Sequence, residues 1–213
     1  STNTVYTNFM GNILVSILAQ GNQKWIRHYQ YDDEGRNVLE ATPAAVESVV
    51  EQSGTFILDV TLRSSDGLIH LKEYYAGDSS DDQPAGYLYR RLIQRGSQGD
   101  PIVVREYQYD TVTSGSVTTH PLSAEIVYAE EVTEAELSGD SSDEVHTIVT
   151  GYESQWHPGT AQISQRTTAL PQVPAEQNGS GISATRIEQY DIYGHVVSSQ
   201  DERGVITAYE YDS

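Results

Sequence analysis

The sequence predicts an all-β chain built from successive antiparallel hairpins, and three observations support this. Apolar and polar residues alternate with period two along several segments, most clearly over residues 55–63. Turn sequences that contain glycine separate these segments at short intervals. A short Tyr-Asp motif also recurs along the chain. We therefore expect a curved, spiralling sheet of hairpins that carries one or two short helices.

The strands are expected in a simple order. A strand over residues 55–63 turns through residues 64–67 and returns over 68–75. The remaining expected strands cover residues 87–94, 102–109, 123–129, 145–156 and 161–170, with a turn at 157–160, and residues 184–213 read as strand, turn, strand, turn, strand. Residues 78–86 and 171–181 are expected to be loops, because prolines and glycines or acidic residues dominate them.

Two short helices are also expected. In residues 43–52, Thr42 is placed as an N-cap and Pro43 occupies the first helical position. The three valines of that segment would lie on one side of the helix. Residues 130–137 form the second, weaker helical pattern.

The aromatic content, net charge and lack of cysteine restrict the classes of function that this chain could have. The 213 residues include 15 Tyr beside 2 Phe and 2 Trp, so the packed surfaces should be rich in hydroxyl-bearing rings. A net charge of −19 repels nucleic acid and anionic membrane surfaces, so we expect no nucleic-acid partner. No apolar run reaches the length of about 18 residues that a membrane span needs. Cysteine is absent, which removes disulfides and thiolate chemistry.

The recurring motif is Tyr-x-Tyr-Asp. It occurs as Tyr29-Gln30-Tyr31-Asp32, Tyr107-Gln108-Tyr109-Asp110 and Tyr209-Glu210-Tyr211-Asp212, while Glu188-Gln189-Tyr190-Asp191 keeps the final pair. Two copies are followed at the same offset by Gly35 and Gly194, and Gly204 marks a turn between the last two copies. Tyr-x-Tyr places two rings on one face of a strand. Asp then ends the strand by accepting backbone N–H groups, and Gly supplies the positive φ of the turn.

In these residues the chain resembles the RHS or YD-repeat family, whose unit is Tyr-Asp-x-x-Gly, recurring at about twenty residues as a β-hairpin. The resemblance covers residues 6–43 and 184–213, about a third of the chain. Residues 6–12 are interpreted as a decayed copy in which Thr7 replaces Asp. Residues 44–183 are interpreted as degenerate or inserted hairpins within a single segment 1–213, with a separate inserted domain as the alternative.

The resemblance implies a non-catalytic structural segment of a large, secreted or cell-surface bacterial protein. Members form a β-shell that encloses a cargo, often a toxic C-terminal domain, or that displays surface-recognition elements. The partners would then be the rest of the same polypeptide and its cargo. About ten hairpins are too few to seal such a shell, so we expect an open sheet whose two terminal strands are exposed or paired with a neighbour.

Enzymatic motifs are weak. The six histidines show no metal-ligand spacing, and neither a nucleophile elbow nor a nucleotide-binding loop is present. The 31 acidic residues allow many carboxylate pairs, so a glycoside hydrolase is a minor alternative without assigned residues. We therefore assign no catalytic residue and no cofactor.

The main alternative function is a secreted or cell-surface binding module for glycans or Ca²⁺. The string Gly-Asp-Ser-Ser-Asp occurs at residues 77–81 and 139–143, and oxygen-rich loops can bind Ca²⁺. Neither loop has EF-hand spacing, and we favour solvated acidic loops that leave the melting temperature unchanged in Ca²⁺. For the tyrosines we favour cross-strand ladders between hairpins over stacking on sugars.

Overall fold

A computed structural model describes residues 1–52, 58–77, 83–133, 136–137 and 146–212. In this part of the chain, regular structure is almost entirely β. The strands are β1 (Thr2–Thr7), β2 (Ile13–Gln20), β3 (Gln23–Tyr31), β4 (Asn37–Ala41), β5 (Val46–Glu51), β6 (Leu58–Leu62), β7 (Leu68–Tyr74), β8 (Leu88–Arg95), β9 (Ile102–Tyr109), β10 (Val112–Ser114), β11 (Val117–Thr119), β12 (Leu122–Thr133), β13 (Thr147–Trp156), β14 (Ile163–Ala169), β15 (Thr185–Tyr190), β16 (Val196–Gln200) and β17 (Ile206–Ala208).

Within the described residues, thirteen strands are hydrogen-bonded in one sheet in the order β1-β2-β3-β4-β7-β8-β9-β12-β13-β14-β15-β16-β17. This is almost the order of the sequence, because each strand pairs with the next through a hairpin. Two small hairpins, β5–β6 and β10–β11, form sheets of their own and interrupt the series. Strands β1 and β17 stand at the two ends of the order. The predicted all-β fold of successive antiparallel hairpins is confirmed.

Contacts divide the chain into two compact units. The first contains Ser1–Glu73, Arg90–Val104 and Glu131–Glu144, and the second contains Tyr74–Tyr89, Arg105–Glu130 and Val145–Ser213. In the first unit the small sheet β5–β6 packs on one face of strands β3, β4 and β7. Its core comprises Ala41, Ala45, Val46 and Ile69, with Ile26, Leu39, Val49, Val60, Leu62 and Leu71 packed around them.

The predicted helix over residues 43–52 is wrong. The segment makes a turn, in which the Ala45 N–H donates to the Thr42 carbonyl, and then continues as strand β5. The Thr42 hydroxyl is not a helix cap, because it donates to the Leu68 carbonyl at 2.7 Å. A β-bulge in β5 shifts the register between Val46 and Ser48. The extra residue turns Val46 and Val49 to the same face, and their spacing of three therefore imitates a helical repeat.

The second predicted helix, over residues 130–137, is also wrong in its first half. Strand β12 runs to Thr133, and a helical turn is described only at Glu136 and Leu137. Glu136 and Thr133 form a reciprocal capping box: the Thr133 N–H donates to the Glu136 carboxylate at 2.7 Å, and the Glu136 N–H donates to the Thr133 hydroxyl at 3.4 Å. Helical conformation is therefore described only at Glu136 and Leu137, and residues 134 and 135 lie outside the described part of the chain.

In the second unit the chain continues from β13 to β17 as a series of adjacent antiparallel strands. The connection from β14 to β15 was expected to be a loop, and it contains one 3-10 turn at Ala175–Gln177. Asn178 ends that turn in the left-handed conformation, with φ 60°. The Gly179 N–H donates to the Pro174 carbonyl at 2.9 Å, which closes the loop on itself.

Candidate functional site

One type of turn recurs along the chain. Among the described residues, four hairpins share the sequence Asx-x-x-Gly, in which the Asx N–H donates to the carbonyl of the fourth residue on, and the Gly N–H donates back to the Asx carbonyl. These turns begin at Asn8, Asp32, Asp191 and Asp201, and their glycines are Gly11, Gly35, Gly194 and Gly204, with φ between +79° and +88°. A side chain at such a φ is strained, which explains the glycine.

The Asx side chain completes each turn. Its Oδ1 accepts the backbone N–H of the fourth residue on, at 2.8–2.9 Å in all four turns. In three of the turns, those at Asn8, Asp191 and Asp201, it also accepts the N–H of the second residue on. The side chain thus satisfies donors that the tight turn would otherwise leave unpaired.

Three of the turns place a basic side chain beside the Asp carboxylate, and at Asp201 this contact is long, with Oδ2 3.9 Å from Arg203 Nε. Asp32 Oδ2 accepts from Arg36 Nε at 2.6 Å, and Asp191 Oδ2 lies 3.0 Å from His195 Nδ1. Desolvation alone would raise the pKa of Asp32 and of Asp191. The hydrogen bonds from Arg36 and from His195 outweigh it, so the pKa of each lies below the ordinary value of 3.8. A carboxylate held ionised by such donors is a poor general acid.

The first turn corrects the sequence alignment. We expected Thr7 to replace Asp in the decayed copy, with one extra residue before Gly11. The structure instead places Asn8 in the Asp position, three residues before Gly11, as in the other turns. The amide oxygen of Asn accepts the same N–H groups as a carboxylate oxygen. A search for Asx rather than Asp would have found this turn.

The motif copy at Tyr107, Tyr109 and Asp110 ends differently. The Asp110 N–H donates to the Pro121 carbonyl at 2.9 Å, so the loop closes over twelve residues rather than five. The small hairpin β10–β11 fills this longer connection. The missing glycine therefore marks an inserted hairpin.

The motif tyrosines lie near or just beyond the ends of strands, and their rings do not repeat one arrangement. Tyr29 and Tyr31 are half-buried at the end of β3, where burial first, then Tyr29 and Glu40, raise the pKa of Tyr31. The Tyr190 hydroxyl donates to Glu188 Oε2 at 2.8 Å. Tyr209 lies with its hydroxyl 3.3 Å from the Ser199 hydroxyl.

Beyond β17, the last described residues pack back onto the preceding hairpin. The Tyr211 hydroxyl donates to the Val196 carbonyl at 2.8 Å, and its ring centroid lies 4.9 Å from that of His195. Asp212 lies outside any strand.

Five tyrosines cluster in the second unit, and they include one motif copy, Tyr107 and Tyr109. The members of this cluster are Tyr75, Tyr87, Tyr89, Tyr107 and Tyr109. The Tyr75 ring lies 4.5 Å from Tyr89 and 6.3 Å from Tyr109, and Tyr87 lies 4.9 Å from Tyr109. The buried Tyr75 hydroxyl donates to the Tyr107 carbonyl at 2.7 Å. Burial above all raises the pKa of Tyr109.

Three members of this cluster, Tyr75, Tyr87 and Tyr89, lie outside the recurring motif because no Asp follows them. Tyr87-Leu88-Tyr89 is itself a Tyr-x-Tyr pair, and that spacing was the available signal. Tyr87 directly precedes β8, and its ring contacts that of Tyr109 at the end of the adjacent strand β9.

Metal-ligand groups and membrane-spanning helices can be examined only in the described residues. No group of three His, Asp or Glu side chains there could hold a metal ion. Of the two acidic loops, residues 78–82 and 139–144 lie outside the described part, so the Ca²⁺ expectation stays a prediction. Nothing helical in the described part of the chain has the length and apolar character needed to cross a bilayer.

Comparison with known proteins adds no assignment. No protein-family model and no curated protein matches this sequence. The resemblance to YD repeats therefore depends on the motif and on the turns described above.

Proposed function

We propose that this chain is a non-catalytic structural segment of an RHS or YD-repeat protein. Its hairpins would contribute to a β-shell that encloses a cargo domain or displays surface-recognition elements. The rest of the same polypeptide would be its main partner, in a secreted or cell-surface setting.

One observation carries the proposal. The same Asx-x-x-Gly turn recurs at Asn8, Asp32, Asp191 and Asp201, with the same side-chain and backbone hydrogen bonds. A turn that recurs with its geometry intact is typical of a repeat architecture, in which each hairpin pairs with its neighbours. The order of the thirteen-stranded sheet follows the sequence in the same way.

The terminal strands supply the test. β1 and β17 are edge strands, and edge N–H groups are open to pairing with a further strand. Exposed apolar side chains lie beside them, including Phe9, which is 98% exposed, and Ile206, which is 65% exposed. In a shell, flanking hairpins would cover both edges.

Amide hydrogen exchange should be measured on this chain and on the longer polypeptide that the proposal requires. Outward-facing amides of β1 and β17 should exchange quickly in the chain and slowly in the longer polypeptide. Amides of β2 and β16, which have strand neighbours on both sides, are the control and should exchange slowly in both. Unchanged exchange at β1 and β17 would contradict the shell.

A further inference from the structure

A cavity of about 580 Å³ opens on the second unit. This volume falls within the range of about 300–1,000 Å³ that is typical of small-molecule sites. Its walls include Tyr87, Thr119, His120, Trp156, Arg166 and Tyr190. The proposed shell role does not use this cavity.

Arg166, which lines the cavity, is placed there by the pairing of three strands. Arg166 of β14 lies directly opposite Ser154 of β13 and Glu188 of β15. Opposite residues in antiparallel strands share a face of the sheet. Tyr190 lies two residues beyond Glu188, and alternation places it on the same face.

Arg166 is the decisive residue. Its Nε atom is buried and has no hydrogen-bond partner among the described residues, and no carboxylate there forms a salt bridge with its guanidinium. Glu188, which lies opposite Arg166 on β15, accepts the Tyr190 hydroxyl. Buried polar atoms in folded proteins nearly always have a partner. Arg166 therefore gives the cavity a positive charge that no described carboxylate pairs with, in a chain of net charge −19.

Two hydroxyl groups are also buried without a described hydrogen-bond partner. They contain the Oγ1 atom of Thr119, in the cavity wall, and the Oγ atom of Ser154, beside Arg166. The wall further contains the hydroxyl of Thr118 and the amide of Gln162. Donors and acceptors of this kind match a ligand that carries several hydroxyl groups.

Aromatic rings form the other wall. Trp156, Tyr87 and Tyr190 line the cavity, and the ring of His120 lies 5.3 Å from that of Tyr87. The His120 Nδ1 atom lies 3.0 Å from the Thr111 hydroxyl, which fixes the ring. Flat aromatic faces pack well against the C–H face of a pyranose ring, because that face is apolar.

We propose that this cavity binds a hexuronic acid, the carboxylate-bearing form of a pyranose sugar. The guanidinium of Arg166 would pair with the carboxylate, the aromatic wall would cover the ring, and the hydroxyl and amide groups would bind its hydroxyls. Arginine suits this role because its planar fork matches a carboxylate in two parallel hydrogen bonds. Arg166 can neutralise the single negative charge of a carboxylate. A doubly charged phosphate would keep one negative charge and would be repelled more strongly by the acidic chain.

The test is titration calorimetry of the whole chain with galacturonate and glucuronate, each against its neutral parent sugar, and with acetate and inorganic phosphate. A uronate should bind saturably and at least ten-fold more tightly than its parent sugar. Acetate and phosphate should bind more weakly than the uronate. Equal binding of acetate or phosphate, equal binding of the neutral sugar, or no saturable uronate binding would each overturn the proposal.

Variants locate the site. Arg166→Gln should weaken uronate binding at least ten-fold, whereas Arg166→Lys should weaken it less. Arg186→Gln is the matched control, because Arg186 lies on the next strand and pairs with Glu202 at 2.9 Å, away from the cavity lining. It should bind uronate like the parent chain. Uronate binding unchanged in Arg166→Gln would overturn the proposal.

A second variant tests the same cavity in case Arg166→Gln does not fold. Trp156→Phe should weaken the uronate and the neutral sugar in similar proportion, because it removes ring contact and leaves the charge. Saturation-transfer NMR should show that the ring protons of the uronate contact the protein, and that this contact falls in Trp156→Phe. Binding unaffected by Trp156→Phe would contradict the cavity as the site.

Discussion

The small hairpin β5–β6 of the first unit and the hairpins β15–β17 of the second are both antiparallel, but different forces hold them. Around β5–β6, Ala41, Ala45 and Ile69 are at most 1% exposed. In β15, β16 and β17, all of which the structure describes, no residue is fully buried. Those strands depend instead on the turns at Asp191 and Asp201. Burial stabilises the first region, and local turn chemistry stabilises the second.

The largest expected effect on stability comes from truncating one isoleucine in each region. Ile69→Ala should lower the free energy of unfolding by about 2–5 kcal/mol, because it empties a packed site. Ile206→Ala removes the same atoms from a residue that is 65% exposed and should change it by less than about 0.5 kcal/mol.

Urea unfolding can be followed in each region separately. Trp25 lies in the first unit and Trp156 in the second, so Trp156→Phe and Trp25→Phe leave one fluorescent reporter each. Equal losses from both isoleucine variants would contradict the contrast.

The next effect compares two glycines of positive φ. At Gly67 a Cβ would lie 2.2 Å from the Ala45 backbone nitrogen, whereas at Gly194 it would meet nothing within 4 Å. Gly194→Ala should cost about 1–2 kcal/mol, the penalty of the left-handed conformation. Gly67→Ala should cost more, about 2–4 kcal/mol, because the core backbone must also move. Thermal unfolding of both variants would show whether the order is reversed.

A smaller effect concerns the turn side chain. Asp191→Ala removes the acceptor of the Tyr193 and His195 N–H groups and should cost about 1 kcal/mol. Asp191→Asn should cost less, because Asn8 forms the same hydrogen bonds in its own turn. Denaturant midpoints of the two variants would decide; equal losses would mean that charge, not the acceptor atom, matters.

The smallest effect is a difference in pH response. Burial lowers the pKa of His28 below 6.5, and the hydrogen bond with the Leu14 carbonyl only partly offsets this. Protonation therefore favours the unfolded chain, and the first unit should lose stability as pH falls below 6.5. Asp191 has a pKa below 3.8, so its contribution persists above that pH and is lost only as pH falls through the lower folded value.

Urea midpoints between pH 7.5 and 3 would check this difference with the two tryptophan reporters. In mild acid the Trp25 midpoint should fall before the Trp156 midpoint. His28→Gln should flatten the response at Trp25 and leave Trp156 unchanged. A response of the same size in His28→Gln would show that another group causes it.

The sequence predicted most strands because period-two alternation and glycine turns are local. Strand β9 matches its predicted bounds, residues 102–109, and Leu58, Val60 and Leu62 alternate with exposed neighbours as expected. The prediction failed at β5, because a bulge gave Val46 and Val49 the spacing of a helix. Whether such a segment is a helix or a bulged strand depends on the strand with which it pairs. The pattern of apolar residues within one segment does not identify that partner strand.

The cavity around Arg166 lay beyond sequence reasoning for a related reason. Its residues come from segments separated by up to about 100 positions, and only the pairing of β13, β14 and β15 brings Ser154 and Glu188 opposite Arg166. Arg166 has no motif of its own. That its Nε atom has no partner among the described residues becomes visible only once those neighbours are in place.

The closed loop between β14 and β15 has a consequence for chemical ageing. Asn-Gly pairs lose ammonia when the glycine nitrogen attacks the asparagine side-chain carbon, and this needs a free N–H and a mobile backbone. At Asn178-Gly179 the N–H donates to the Pro174 carbonyl, and Asn178 is held in one left-handed conformation. Deamidation should therefore proceed mainly when the loop opens. The rate at which isoaspartate accumulates at residue 178 in stored protein, measured by mass spectrometry, would therefore report how often the loop opens.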